Sequence, residues 1–334
     1  MHSSLDLKPR PAISVVMPVY NVERFVEQAV RSVLDQSFGD FELIIVDDGG
    51  SDASIAICRQ LADHRTRIVH QANRGLAGAR NTGIAEARGE FVALIDSDDA
   101  WMPEKLERHI AHLRANPDVG ISYAGAKLIG DNGQPLGISQ RPLLGDVTSR
   151  HVFCGQTIKN GSVPVFRRAA LNEAALRIAG ADRVSYFDEG LRRSEDVECW
   201  TRIALTTRWR FAGIPGDLTL YRINAAGLSA DVIRQLESWD DVCAKVAAYA
   251  PAFIAAHGNE ARARELRYLA RRCFQIGDRG LAFGLVAEAL RTWPRLVLTE
   301  PVKTLTTLAA CVLLRLLPER PFAMIAGALG APVA

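Results

Sequence analysis

The 334-residue chain lacks the marks of several large protein classes. It has no excess of either charge: 40 Lys+Arg against 38 Asp+Glu leave a formal +2. A dedicated nucleic-acid binder would need a basic surplus, so no nucleic-acid partner is expected. The six cysteines (Cys58, Cys154, Cys199, Cys243, Cys273, Cys311) form no C-x-x-C pair and no Cys/His cluster at zinc spacing. Free buried thiols in a reducing cytoplasm are the expectation. Met1–Asp6 carries no apolar leader core, and no apolar run reaches the ~20 residues of a spanning helix. With 48% hydrophobic and 23% charged residues the chain can bury a core, which excludes disorder as its main character.

What is present begins with alternation. Ile13–Met17, Phe41–Val46, Arg67–His70 and Phe91–Ile95 are short apolar runs, each ending in polar residues. Between them, Phe25–Leu34, Ser54–Leu61 and Gly78–Ala87 carry helical periodicity. Strand–helix–strand repetition with short turns predicts a doubly wound, largely parallel sheet, with its ligand crevice at the carboxyl ends of the strands. The acids gather at those ends. The turn after the first strand, Pro18–Glu23, contains no glycine, so the G-x-G-x-x-G loop of a dinucleotide-binding fold is absent. Tyr123–Gly137 reads as strands around the turn Asp131-Asn132-Gly133, and Glu195–Leu205 as a helix.

Asp96-Ser97-Asp98-Asp99 packs three carboxylates at one strand end. Like charges so close call for a cation or for raised pKa values. Hard oxygen ligands on a turn suit Mg²⁺ or Mn²⁺ beside diphosphate oxygens, whereas a helix cap ahead of Pro103 would need one acid only. An EF-hand starting at Asp96 fails because Trp101 stands where glycine is required. Asp47-Asp48 reads either as an acidic turn or as a polar contact for a base or ribose. Within Asn73–Gly83, Gly75 and Gly78 would let backbone approach a ligand, and Arg80 is either a phosphate contact or a surface cation. Glu195-Asp196 is either an acid-rich helix start or the seat of a general base.

Taken together, these segments resemble the family 2 glycosyltransferases, nucleotide-sugar-dependent inverting enzymes. The resemblance runs through Ser14–Asn21, Glu42–Gly49, Asn73-Arg74-Gly75, Ala79–Gly83, Asp96–Asp99, Glu195-Asp196 with Trp200, Tyr221-Arg222 and Leu228-Ser229, in that order. It covers roughly residues 11–230 and implies a GT-A-like α/β fold, to which helical periodicity from about 231 adds a helical C-terminal annex. By position, Pro18 and Tyr20 would wall the nucleobase and Asp48 would contact it; Arg80 joins them as a candidate donor-site residue. Asp96 and Asp98 match a DxD motif, with Asp98 the direct ligand of Mn²⁺ or Mg²⁺. Asp196 matches the catalytic base, with Glu195 beside it and Trp200 lining the acceptor cleft. The implied donor is a UDP-, GDP- or dTDP-sugar, and the implied acceptor a glycan or lipid-linked hydroxyl in cell-surface polysaccharide synthesis. One departure is Asn224, where many relatives place a histidine. A nucleotidyltransferase of similar fold would need a Gly/Arg/Lys-rich phosphate loop, which Pro18–Glu23 is not. An inactive binding module would not need both Asp98 and Asp196.

The expected division is a catalytic domain over 1–230, a helical annex over 231–300 and an apolar or amphipathic segment over 301–334. Within the annex, Leu266, Leu269, Ala270, Cys273 and Phe274 form one helical stripe, and Arg264, Arg267 and Arg271 another. Ala282–Leu290 gives a second helix. The apolar runs Thr304–Leu314 and Phe322–Ala334, beside eight Arg against four acids in 259–295, predict a peripheral contact with an anionic membrane face. A homodimer or an acceptor-partner surface is the alternative use.

Overall fold

The computed structural model describes residues 10–155, 157–177, 184–223, 231–276 and 278–316. Asn224, Leu228-Ser229 and the Phe322–Ala334 run lie outside the described residues. The chain divides into two units, one formed by 1–152 and 156–224, the other by 153–155 and 225–334.

The first unit opens with β1 (Ile13–Val19), α1 (Val26–Leu34), β2 (Phe41–Asp47), α2 (Ser54–Leu61), β3 (Thr66–His70), α3 (Gly75–Glu86) and β4 (Phe91–Leu94). It continues with β5 (Ala100–Trp101), α4 (Lys105–Ala115), β6 (Val119–Ile129), β7 (Pro135–Gln140), α5 (Ser149–Phe153) and β8 (Val165–Arg167). α6 (Arg168–Glu173), β9 (Leu176–Arg177), β10 (Val184–Ser185), α7 (Glu195–Thr206) and β11 (Arg210–Arg222) complete it. The main sheet runs β3-β2-β1-β4-β8-β6-β11-β5, with β7 paired to β6. β1 lies parallel to β2 and β4, β2 to β3, and β6 to β11. β8 is inserted antiparallel between β4 and β6.

Alternating side chains build a three-layer core. Val16, Ile44, Val46, Val92 and Leu94 face one way and pack with Ala77, Ala79 and Ile84 of α3 and Cys199, Trp200 and Ile203 of α7. Val15, Met17, Leu43, Ile45 and Ala93 face the other way, against Val26, Val30 and Val33 of α1 and Leu106, Ile110 and Leu113 of α4. α3 approaches β1 so closely that a Cβ at Gly83 would stand 2.2 Å from Val16. The chain runs outward from β1 to β3, then returns to place β4 on the other side of β1. That reversal makes the carboxyl ends of β1 and β4 a topological switch point, the place where doubly wound sheets bind ligands. α3 begins at Gly75, three residues before the start expected from periodicity, because Gly75 supplies the φ of +73° at the turn into it.

The second unit is helical: α8 (Val232–Tyr249), α9 (Pro251–Ile276), α10 (Ala282–Thr292), α11 (Leu296–Thr299) and α12 (Pro301–Leu316). The stripe Leu266, Leu269, Ala270, Cys273 of α9 packs on Leu285, Val286 and Ala289 of α10 and on Cys311 and Leu314 of α12. The arginine stripe is only partly a solvent face: Arg271 is exposed, but Arg264 and Arg267 are engaged by acids. Arg264 is buried between Glu260 and Glu300, at 3.0 and 2.8 Å, and Arg267 reaches Glu300 at 2.5 Å. The outer side of α11 and α12 exposes Leu298, Val302, Leu305 and Leu316. No described helix is long and apolar enough to cross a membrane.

Candidate active site

Three parallel strand ends bring the site together. β1 ends in buried Pro18 and Val19, followed by Tyr20, 49% exposed, and Asn21 at φ +51°. The Asn21 Oδ1 accepts from the Ser51 backbone N–H at 2.9 Å, which ties this end to the turn after β2. Asp48, just past β2, is 3% exposed. Its carboxylate accepts from Gln71 Nε2 (2.6 Å) and from the backbone N–H groups of Arg74 (2.8 Å) and Gly75 (2.9 Å). Three of its four acceptor positions are therefore used inside the chain. Asp48 holds the loop before α3, a task the sequence reading did not give it.

The acidic turn after β4 is sorted by its partners. Asp96, 23% exposed at its side chain, accepts from Arg80 Nη2 at 2.7 Å. Asp99 is buried and accepts from Ser162 Oγ (2.5 Å) and the Arg222 backbone N–H (2.9 Å). Burial raises the Asp99 pKa well above its ordinary value, Asp98 and Asp96 add to the rise, and these two hydrogen bonds oppose it. Asp98 is half-buried, and its carbonyl accepts from Arg222 Nε at 2.7 Å. Arg222 is itself fixed by the carbonyls of Gly130 and Asp131 and by Gln28 Oε1. Beneath the turn, buried Lys105 donates to Val163 O (2.8 Å) and Thr219 Oγ1 (3.1 Å). Burial pulls its pKa down to about 7, against the pull of Asp99.

α7 carries the second acid pair to the same place. Glu195 is buried and accepts from Arg80 Nη1 at 2.6 Å. Asp196 is half-buried and accepts from the Val197 backbone N–H at 2.8 Å. Burial raises the pKa of both; Arg80 opposes the rise, and Asp96 adds to it. Asp96, Arg80, Glu195 and Asp196 thus form one charged cluster, although 99 residues separate Asp96 from Glu195 in the sequence.

Three expectations require correction. Arg80 is 1% exposed and clamped between two carboxylates, so it has no surface to offer a phosphate. Glu195 is likewise committed to Arg80 and lines no acceptor cleft. Trp200, 2% exposed, is a core residue, stacked on Phe166 at 5.0 Å between ring centroids and edge-on to Phe187 at 5.7 Å. Its position one turn beyond Asp196 points it to the sheet. Sequence reasoning missed Ser162, Lys105 and Gly161 altogether. No local pattern marks them, because their roles come from contacts across the fold.

The donor set around the acidic turn is carboxylate oxygen, which suits a hard divalent ion. Among the described residues no three His, Cys, Asp or Glu side chains close around one ion.

Residues 14–174, most of the first unit, match the family model described as Glycosyl transferase family 2. Among curated relatives, TuaG of Bacillus subtilis (strain 168), provisionally named a teichuronic acid biosynthesis glycosyltransferase, is 38% identical over 130 residues. The aligned part is 38% of this chain and 51% of TuaG. WfgD of Escherichia coli, a UDP-Glc:alpha-D-GlcNAc-diphosphoundecaprenol beta-1,3-glucosyltransferase, is 35% identical over 121 residues, 36% of this chain and 47% of that protein. The chain spans about half the length of these relatives. S. aureus TarS 1–349 in complex with UDP-GlcNAc superposes with a TM-score of 0.60 at 18% identity, over 95% of this chain and 92% of that one. The mannosyltransferase PcManGT of Pyrobaculum calidifontis, in complex with GDP-Man and Mn²⁺, gives 0.57 at 21% identity, over 93% and 88%. At those identities the likeness carries the fold, which is GT-A.

Proposed function

We propose that the chain is an inverting glycosyltransferase that moves a sugar from a nucleoside diphosphate sugar to an acceptor hydroxyl. The observation that carries the reading is the joining of Asp196, through Glu195 and Arg80, to Asp96 of the acidic turn. This supports a base on α7 working beside an acid at the end of β4. The acceptor oxygen bonds to the anomeric carbon as the bond from that carbon to the diphosphate oxygen breaks. The hydroxyl proton passes to Asp196, and the diphosphate leaves with the bond's electron pair. Attack opposite the leaving group inverts the centre.

Tyr20, half-exposed at the end of β1, would flank the nucleobase above Pro18, with Asp48 holding the loop beneath it. Asp98, with Asp96, would hold Mn²⁺ or Mg²⁺, and the ion's chemistry when bound is to neutralise charge on the departing diphosphate. The names of WfgD and TuaG support an acceptor in cell-surface glycan synthesis. A positioned base contributes on the order of 10²–10⁴-fold. Asp196→Asn is therefore expected to lower kcat by about 10²–10⁴ while leaving nucleotide affinity near the wild-type value. Steady-state kinetics with calorimetric binding checks this; full turnover in the variant would remove Asp196 from the role.

A further inference from the structure

We infer that Arg80 is a positioning residue that sets the base-bearing helix α7 against the acidic turn, and so governs turnover without touching substrate. The inference rests on the glycosyl-transfer reading and deepens it. Arg80 stands in the middle of α3, and its guanidinium forks to carboxylates on two other elements: Glu195 at the first residue of α7 and Asp96 just after β4. Its central carbon lies 5.3 Å from the Phe187 ring centroid. The space is built for this side chain: a Cβ at Gly161 would stand 2.1 Å from Arg80 Nη2 and 3.3 Å from an Asp96 oxygen.

The neighbouring residue completes the fixture. Asn81 Nδ2 donates to Phe187 O at 2.8 Å, and Asn81 Oδ1 accepts from the backbone N–H groups of Tyr186 (2.9 Å) and Phe187 (2.8 Å). Two adjacent residues of α3 therefore hold the segment leading to α7 and the first residue of α7 itself. One guanidinium can serve two carboxylates on separate elements because its donors form a rigid planar fork; an ammonium is a point charge on a flexible stem. A base displaced by about 1 Å from its working position can cost on the order of 10²-fold in rate. Holding Asp196 through its neighbour is thus worth as much as many direct contacts.

The experiment compares the wild type with R80K, R80M, E195Q and the double variant R80M/E195Q. Melting temperature, nucleotide affinity, donor KM and kcat are measured for each. R80M leaves Glu195 buried and uncompensated, so its melting temperature falls; the double variant removes both charges and regains most of the loss. Turnover is expected not to follow. In R80K, R80M and the double variant, kcat falls by about 10²-fold with donor KM near the wild-type value. A merely structural Arg80 would let kcat recover together with the melting temperature, and that recovery, or wild-type kcat in R80K, overturns the inference alone. If the wild-type protein transfers no sugar, the glycosyl-transfer reading falls and this inference falls with it.

Discussion

Asp196 occupies the second position of α7, half-buried beside a guanidinium and two other carboxyls. Burial raises its pKa, Asp96 raises it further, and Arg80 and the Val197 N–H hold it back. A base acts when deprotonated, so activity is lost as pH falls through that pKa. The acid limb of kcat/KM, which reports the free enzyme's groups, is expected above the ordinary aspartate value of 3.8. In R80M the restraining charge is gone, so the limb moves to higher pH; an unmoved or lowered limb would contradict this placement of the charges. At this scale the sequence singled out the acids of the candidate site and misjudged three environments. Asp96 and Asp98 stood out because clustered acids at a strand end have few structural uses, and Asp196 because it opens a helix beside a second acid; the metal and base roles given to them are proposals. Arg80 was not, since nothing local distinguishes a surface cation from one clamped between Asp96 and Glu195. Trp200 was taken for a cleft residue for the same reason.

Elements were more legible than environments. Short apolar runs and the 3.6-residue period locate β1 to β4 and α1 to α3, with α3 starting three residues early, because β1, β2 and β4 are buried on both faces and helices such as α1 on one. The insertion of β8 between β4 and β6 was not readable. Val165–Arg167 is a three-residue strand whose partners lie about 40 to 75 residues away. Similarly, the arginines of α9 followed helical spacing, yet Arg264 faces inward because Glu260 and Glu300 meet it there. α4 carries a testable consequence of such burial. His109 is fully buried, with its Nδ1 2.7 Å from Ser122 Oγ, and His112 Nδ1 lies 2.8 Å from the same oxygen. Burial holds the His109 pKa well below its ordinary 6.5, with Lys105, His112 and Arg108 adding to the depression. Below about 6.5 the unfolded chain binds a proton that the folded chain refuses, so stability falls as pH drops. The melting temperature of the wild type, relative to His109→Gln, is expected to decline from about pH 7.5 to about 5.5. A constant difference would mean that His109 takes up its proton equally in the folded and unfolded states, against its buried, neutral placement.

At the scale of the whole molecule, two units emerge with a boundary at 224/225, and the segments that resemble the family, Leu228-Ser229 apart, lie in the first. The second unit has its own apolar core and buried arginine–glutamate pairs. Its α11–α12 side exposes Leu298, Val302, Leu305 and Leu316. The central claim concerns the first unit: a crevice at the ends of β1, β2 and β4 that takes a nucleoside diphosphate sugar and a divalent ion. It is tested most directly by thermal stabilisation of the full chain with UDP, GDP, dTDP and CMP, each with and without Mn²⁺, beside Asp98→Ala. A ligand bound to the folded state alone raises the melting temperature, by about 2.7 kcal/mol of stability at a hundred times its Kd. The account predicts that one nucleoside diphosphate stabilises the wild type, that Mn²⁺ strengthens the effect, and that Asp98→Ala abolishes the metal-dependent part. No stabilisation by any nucleotide, with or without the ion, would contradict it.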